Sequence, residues 1–231
     1  MKKLPEIQAV AFDLDGTLVD SIGDLAASCN AMRQALDLPL LEERVLLSFV
    51  GDGIGRMVHR ALTNDHESLA EQSLWEKGFA LFVRHYMEHL TDRTRPYPQV
   101  EDTLGLLKTL HLPLAVITNK SERFAAMILR QLGLEDEFSL LIGGDTLPEK
   151  KPHALPLLHA CENFGIAPEH LLMVGDSRND ILAAKNAGCV SCGVMFGYGR
   201  MEELIRQPET TPDFTVHHFI DIYQTIKKNT E

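Results

Sequence analysis

A chain of 231 residues with 45% hydrophobic and 24% charged residues suits one core carrying an inserted lobe, with ample material for a sizeable interior. The formal net charge of −11 argues against nucleic acid and anionic membrane surfaces as partners, and it requires that any anionic substrate be held by local cations. The apolar run after the basic start Met1–Pro5 covers only Ala9 to Phe12, too short for a leader or a membrane span. With four cysteines (29, 161, 189 and 192) and no secretory signal, reduced thiols and a cytoplasmic location are expected.

The first predicted strand is Val10 to Leu14. From Val19 to Arg95 the pattern turns helical and shows no convincing strand. Ile22, Leu25, Cys29, Met32 and Leu36 recur at three- and four-residue steps, as do Trp75, Phe79, Phe82 and Tyr86, a stripe expected to be core. Arg95-Pro96-Tyr97-Pro98 reads as the return linker, because consecutive X-Pro units resist helix. Strands then alternate with helices: a strand at Leu114 to Thr118, a helix from Ser121 to Gly133, a strand at Ser139 to Ile142 and a helix from Pro152 to Phe164. A strand at Leu171 to Val174, a helix from Ser177 to Ala187 and strands at Val190 to Met195 and Phe214 to Val216 follow. The pattern predicts an α/β fold, a doubly wound, Rossmann-like parallel sheet with an all-helical cap inserted after the first strand. Residues 1–18 and 96–231 are assigned to the core and 19–95 to the cap.

The chemistry-bearing residues cluster at strand ends, where open α/β sheets bind ligands. Asp13-Leu14-Asp15-Gly16-Thr17 follows the first strand, and charged groups left unpaired in such a place are costly. Thr118-Asn119 ends a second strand, Lys150-Lys151-Pro152 precedes a helix, and Gly175-Asp176-Ser177-Arg178-Asn179-Asp180 ends a third strand. Each of the later segments alone reads equally well as a turn, a helix cap or a surface lysine; together, in order and on one sheet, they are specific.

These segments resemble the four ordered motifs of the haloacid dehalogenase-like hydrolase superfamily: Asp13-x-Asp15, Thr118-Asn119, Lys151 and Gly175-Asp176-x-x-x-Asp180. The resemblance covers essentially the whole chain and is closest to the phosphoglycolate phosphatase subfamily, although Lys151-Pro152-His153-Ala154 lacks the proline expected after the histidine. It implies a Mg²⁺-dependent phosphatase acting on a small phosphorylated metabolite, as a monomer or homodimer. Asp13 is the implied nucleophile and Asp15 the acid/base. Mg²⁺ would be held by the Asp13 and Asp176 carboxylates and the Asp15 main-chain carbonyl. Thr118, the Asn119 backbone and Lys151 would hold phosphate oxygens, and Asp180 would orient Lys151 or a metal-bound water. The cap segment Val50-Gly51-Asp52-Gly53-Ile54-Gly55-Arg56 resembles the substrate loop of phosphoglycolate phosphatases. It nominates Gly51, Gly53 and Arg56 for recognition of the carboxylate of 2-phosphoglycolate, with Asp52 required to point away.

Alternative reactions are weighed on the same residues. A dehalogenase typically lacks the second aspartate, so Asp15 argues against it. A phosphonate hydrolase needs a cap lysine, and the cap holds only Lys77, among polar neighbours. A sugar phosphatase or phosphomutase keeps every motif. A phosphate-binding regulatory module would tolerate loss of Asp13 or Asp15, and neither is lost. Cys189-x-x-Cys192 and His217-His218 have metal-like spacing but no partner pair, and are read as structural.

Overall fold

The computed structural model describes residues 4–230; Lys2 and Lys3 of the basic start lie outside them. In chain order the elements are β1 (Ala9–Phe12), β2 (Val19–Asp20), α1 (Ile22–Ala35), α2 (Glu43–Leu47), α3 (Ile54–Thr63), α4 (Gln72–Glu88), β3 (Arg95–Pro96), α5 (Val100–Thr109) and β4 (Leu114–Ile117). They continue with α6 (Glu122–Gln131), β5 (Leu140–Ile142), α7 (Leu155–Phe164), β6 (Leu171–Gly175), α8 (Arg178–Ala187), β7 (Val190–Val194), α9 (Met201–Leu204), β8 (Phe214–Val216) and α10 (Ile220–Thr230).

Six strands form one parallel sheet in the order β5-β4-β1-β6-β7-β8. The chain leaves the central β1 toward β4 and β5 on one side, then returns to build β6, β7 and β8 on the other. That reversal opens a crevice at the carboxyl end of β1. Register aligns the strand ends there, since Phe12 pairs with Val116 of β4 and with Val174 of β6. The residues just beyond each strand therefore converge.

The two faces of the sheet differ for a steric reason. Ala9, Ala11 and Ala115 are small and let Leu157, Ala160, Ala183 and Ala184 of α7 and α8 settle close to the sheet. Val10, Phe12, Val116 and Val174 project the other way, into a core shared with α5 and α10.

The predicted cap periodicity is realised in α1 and α4. Leu25, Cys29 and Met32 face Phe82 and Tyr86 in one buried cluster, while Trp75 and Phe79 lie half-buried and stacked on each other. Gly78 is small for a reason, because a Cβ there would press on Leu62 and Met32 at 3.0–3.2 Å.

Two local expectations are corrected. The X-Pro linker at 95–96 is a short strand, paired antiparallel with β2 at Val19↔Pro96 and Asp20↔Arg95. Asp24 reinforces this hinge by accepting from the Arg93 and Thr94 amides and the Thr94 hydroxyl. The pairing joins segments far apart in sequence, so local propensity did not show it. Helix α7 begins at Leu155 rather than Pro152, because residues 150–153 form a turn, with the His153 amide on the Lys150 carbonyl, that aims Lys151 at the sheet edge.

Candidate active site

Asp13 follows β1 directly, and its amide is fixed by the Val174 carbonyl at 2.9 Å. Its Oδ1 lies 3.0 Å from Lys151 Nζ, an ion-pair distance, yet this buried oxygen accepts no hydrogen bond. Lys151 Nζ donates to the Ile117 carbonyl and to Asp180 Oδ1, both at 2.5 Å. Asp180 is in turn locked by a capping box at the start of α8, where the Ser177 amide and hydroxyl reach Asp180 Oδ2 at 3.0 and 2.6 Å. Asp180 and the Ile117 carbonyl together fix where the Lys151 ammonium sits. Burial alone would lower the Lys151 pKa; the Asp13 and Asp180 carboxylates outweigh it and hold the ammonium above its ordinary value.

Asp176 lies at the matching end of β6, and its Oδ2 accepts from the Tyr198 and Gly199 amides at 2.6 and 3.0 Å. Gly16, at φ +87°, sits so close that a Cβ would collide with this carboxylate, so the turn after Asp15 requires glycine on both counts. Carboxylate oxygens of Asp13, Asp176 and Asp180 lie within 4.8 Å of one another. Burial first, then repulsion among the carboxylates, raises Asp13 to about 6 and Asp176 to about 7. A crowd of buried oxygen donors with one unbonded oxygen and excess negative charge fits a hard divalent cation. The Asp15 carboxylate is not in this group, which leaves only its main-chain carbonyl for the expected metal role.

Asp15 turns its carboxylate to Lys120 instead, with Nζ 3.0 and 2.9 Å from its two oxygens and the Ser21 hydroxyl 2.5 Å from Oδ1. Lys120 is buried and lies 5.0 Å over the Tyr86 ring of α4. Burial would lower its pKa, but the facing carboxylate overrides this and raises it. The sequence reading missed Lys120, although its place next to Thr118-Asn119 at a strand end was a usable signal.

Thr118 Oγ1 accepts from the Lys120 amide at 3.3 Å. The Asn119 side chain is a brace between cap and core, donating to the Gly51 carbonyl at 3.0 Å and the Lys151 carbonyl at 2.9 Å. Asn179 of α8 adds bonds to the Gly51 carbonyl at 3.2 Å and to Asp52 Oδ1 at 3.0 Å.

The cavity above these groups measures about 360 Å³. The core contributes Asp13, Asp15, Thr118, Lys120 and Asp176, and the cap contributes Val50, Gly51, Gly53, Ile54 and Met57 together with Ser48 and His66. Gly51 and Gly53 thus reach the site, at φ +119° and +88°. Arg56 does not. Its guanidinium donates to the His66 and Glu67 carbonyls at 3.0 and 3.1 Å, and it borders a neighbouring cleft. The expectation that Arg56 meets the substrate is corrected on that ground. Asp52 points away as required, to Arg60 at 2.7 Å. His66, whose Nε2 is 3.3 Å from Ser48 Oγ, lines the cavity in place of Arg56. Lys77 is exposed and does not border the cavity, and Cys189 and Cys192 are buried free thiols. No helix among the described residues is long and apolar enough to cross a membrane.

Convergent aspartates and lysines at the switch point of a parallel sheet, under a helical insertion, define a hydrolase class, and residues 10–194 match the family model for haloacid dehalogenase-like hydrolases. The chain belongs to that family. It is 55% identical over 230 residues to a phosphoglycolate phosphatase of Neisseria meningitidis, covering 99% of this chain and 98% of that protein. It is 42% identical over 229 residues to the phosphoglycolate phosphatase of Escherichia coli strain K12, covering 90% of each. Among solved structures, a predicted phosphoglycolate phosphatase from Haemophilus somnus superposes with a TM-score of 0.87 at 36% identity, over 95% of this chain and 98% of that one.

Proposed function

We propose that this phosphoric monoester hydrolase is a Mg²⁺-dependent phosphatase that converts 2-phosphoglycolate to glycolate and phosphate through an aspartyl-phosphate on Asp13. The observation that carries the reading is the Asp13 carboxylate. Its Oδ1 is buried without a hydrogen bond, 3.0 Å from Lys151 Nζ, and the residue lines the cavity together with Asp176.

The metal would be held by the Asp13 and Asp176 carboxylates and the Asp15 carbonyl, with Asp180 adjoining. When bound it supplies the positive charge that lets an anionic carboxylate approach an anionic phosphate. An Asp13 oxygen attacks phosphorus and the ester oxygen departs, so one slow displacement becomes two faster ones. Lys151 faces the same oxygen and, with Thr118 and the Asn119 backbone, holds the transferring group. Asp15 is held in place by the Lys120 ammonium and the Ser21 hydroxyl. Asp15 gives the departing alkoxide a proton, and the cycle balances because the attacking water returns one to it. Asp15 then takes a proton from the water that attacks the aspartyl-phosphate, and Asp13 is regenerated.

Residues 19–95 act as the cap and close the cavity from above. Its wall there is mostly apolar, with Ser48, His66 and the main chain at Gly51 and Gly53 as polar contacts, which suits a small substrate with one distal carboxylate. The names of the relatives support the same substrate. The test is free phosphate release, with Mg²⁺, from 2-phosphoglycolate, glycerol phosphates, hexose phosphates and nucleotides. A kcat/KM highest for 2-phosphoglycolate is expected. Preference for a hexose phosphate, or formation of an isomer in place of phosphate, defeats the assignment.

A further inference from the structure

Tyr198 connects two parts of the molecule that the mechanism above treats separately. Its hydroxyl accepts from the Ser21 amide at 2.5 Å and the Ile22 amide at 2.9 Å, the point at which the first cap helix begins. The same hydroxyl donates to Asp20 Oδ1 at 2.8 Å, in the hinge strand β2. The backbone amide of Tyr198 donates to Asp176 Oδ2 at 2.6 Å. One residue therefore grips the cap hinge at its tip and the Asp176 carboxylate at its root.

The local chemistry favours a rigid link. Two accepted bonds and one donated bond saturate the hydroxyl, and they satisfy amides of the first turn of α1, which its own helix cannot. Burial, and then the Asp15 charge, push the phenol pKa upward, so the hydroxyl remains a donor. The flanking Gly197 and Gly199 pack on Asp176 with no room for a Cβ, so the loop is seated against that residue. The ring between the two grips has no joint other than its two side-chain torsions.

We infer that Tyr198 is a positioning residue that couples the cap hinge to the Asp176 carboxylate, so that the placement of the cap and the binding of a divalent cation at Asp176 influence each other. The inference rests on Asp176 being a metal ligand, as proposed above. Hinge motion that carries Ser21 and Ile22 pulls on the hydroxyl, and the same residue's amide then moves on Asp176. Coupling of this kind is reciprocal, so cation binding must also be felt at the hinge.

The experiment uses the full chain with Mg²⁺ alone, without substrate. Amide hydrogen exchange is followed at Ser21 to Leu25, and Mg²⁺ affinity is measured by calorimetry, for wild type, Tyr198→Phe and Asp176→Asn. In wild type, saturating Mg²⁺ is expected to slow exchange at these amides about fivefold. Tyr198→Phe keeps the ring and the backbone amide; it is expected to abolish that response and to weaken Mg²⁺ by a similar factor. A strut that merely holds the hinge would instead speed exchange equally with and without Mg²⁺ and leave Mg²⁺ affinity alone, and that result overturns the inference. Should Tyr198→Phe not fold, Asp20→Ala, at an exposed position, removes the bond that orients the hydroxyl and is judged by the same criteria. Retention of Mg²⁺ affinity in Asp176→Asn overturns the ligand assignment and the coupling with it. Loss of affinity there with a wild-type response in Tyr198→Phe overturns the coupling alone.

Discussion

Lys120 Nζ stands 2.9 Å from Asp15 Oδ2, with 1% of the lysine side chain exposed, and the two residues are 105 positions apart in sequence. A buried pair of this kind stabilises little on balance, because desolvation offsets attraction, but breaking it strands a charge. Its value lies in holding the acid/base in one place. Lys120 also lies over Tyr86 of α4, so the same ammonium touches the helical insertion.

Lys120→Met is therefore expected to lower kcat about 10²-fold, the scale of a misplaced acid/base. It should also cost about 3 kcal/mol of stability, measured by thermal unfolding. Adding Asp15→Asn should recover much of the stability and none of the activity, since the stranded charge is gone and the proton carrier with it. A wild-type kcat in Lys120→Met would show that Asp15 needs no such partner.

Asp13→Asn is expected to lower turnover by about 10³-fold or more, because an amide is a poor nucleophile. Acid quenching of the wild-type enzyme during turnover, followed by peptide mass mapping, should place a phosphoryl group on Asp13. Activity above a few per cent in the variant would contradict covalent catalysis.

Metal and pH act together. Asp13 rises from 3.8 to about 6 and Asp176 from 3.8 to about 7 on folding. Carboxylates raised in this way favour the metal-free fold only at low pH; that contribution is complete below pH 3.8 and lost as pH rises through 6 and 7. Mg²⁺ competes with those protons. Saturating Mg²⁺ is expected to raise the melting temperature by about 3 °C at pH 8 and by much less at pH 5. Chelation should abolish activity, and Ca²⁺ should bind yet support little turnover, because its longer bonds and higher coordination number misplace the carboxylates. Full activity in chelator would exclude the metal site.

His66 and Arg56 separate two accounts of substrate choice. His66→Ala is expected to raise KM for 2-phosphoglycolate about tenfold, the loss of one charge-assisted contact, and to leave hydrolysis of ethyl phosphate unchanged. Arg56→Ala should alter neither ratio, since its guanidinium serves the His66 and Glu67 carbonyls. Steady-state kinetics with both substrates decides. A carboxylate-specific defect in Arg56→Ala alone would reinstate the arginine.

Alternating strands and helices, with glycine stops at Gly165 and Gly188 and a capped start at Ser177, made the α/β core legible from sequence, because strand period and helix period are local properties of the chain. The places of Asp13, Thr118 and Asp176 were legible for the same reason: a polar residue directly after an apolar strand lies at the sheet's carboxyl edge whatever the strand order, whereas Lys151, nine residues beyond β5, was nominated only by the order of the motifs. Partners were not legible. Lys120 meets Asp15 across 105 residues and Tyr198 meets Ser21 across 177, distances over which no periodicity carries information. The sequence motif around Gly51 and Gly53 put both glycines at the cavity, but the direction of Arg56 depended on where the 66–67 loop folded back, and the two carbonyls of that loop take its guanidinium. Local pattern determined which residues stand at the sheet edge. Strand order and the packing of the insertion decided which of their charges face one another, because an ion pair in a dry site is set by distances that only the assembled layers define.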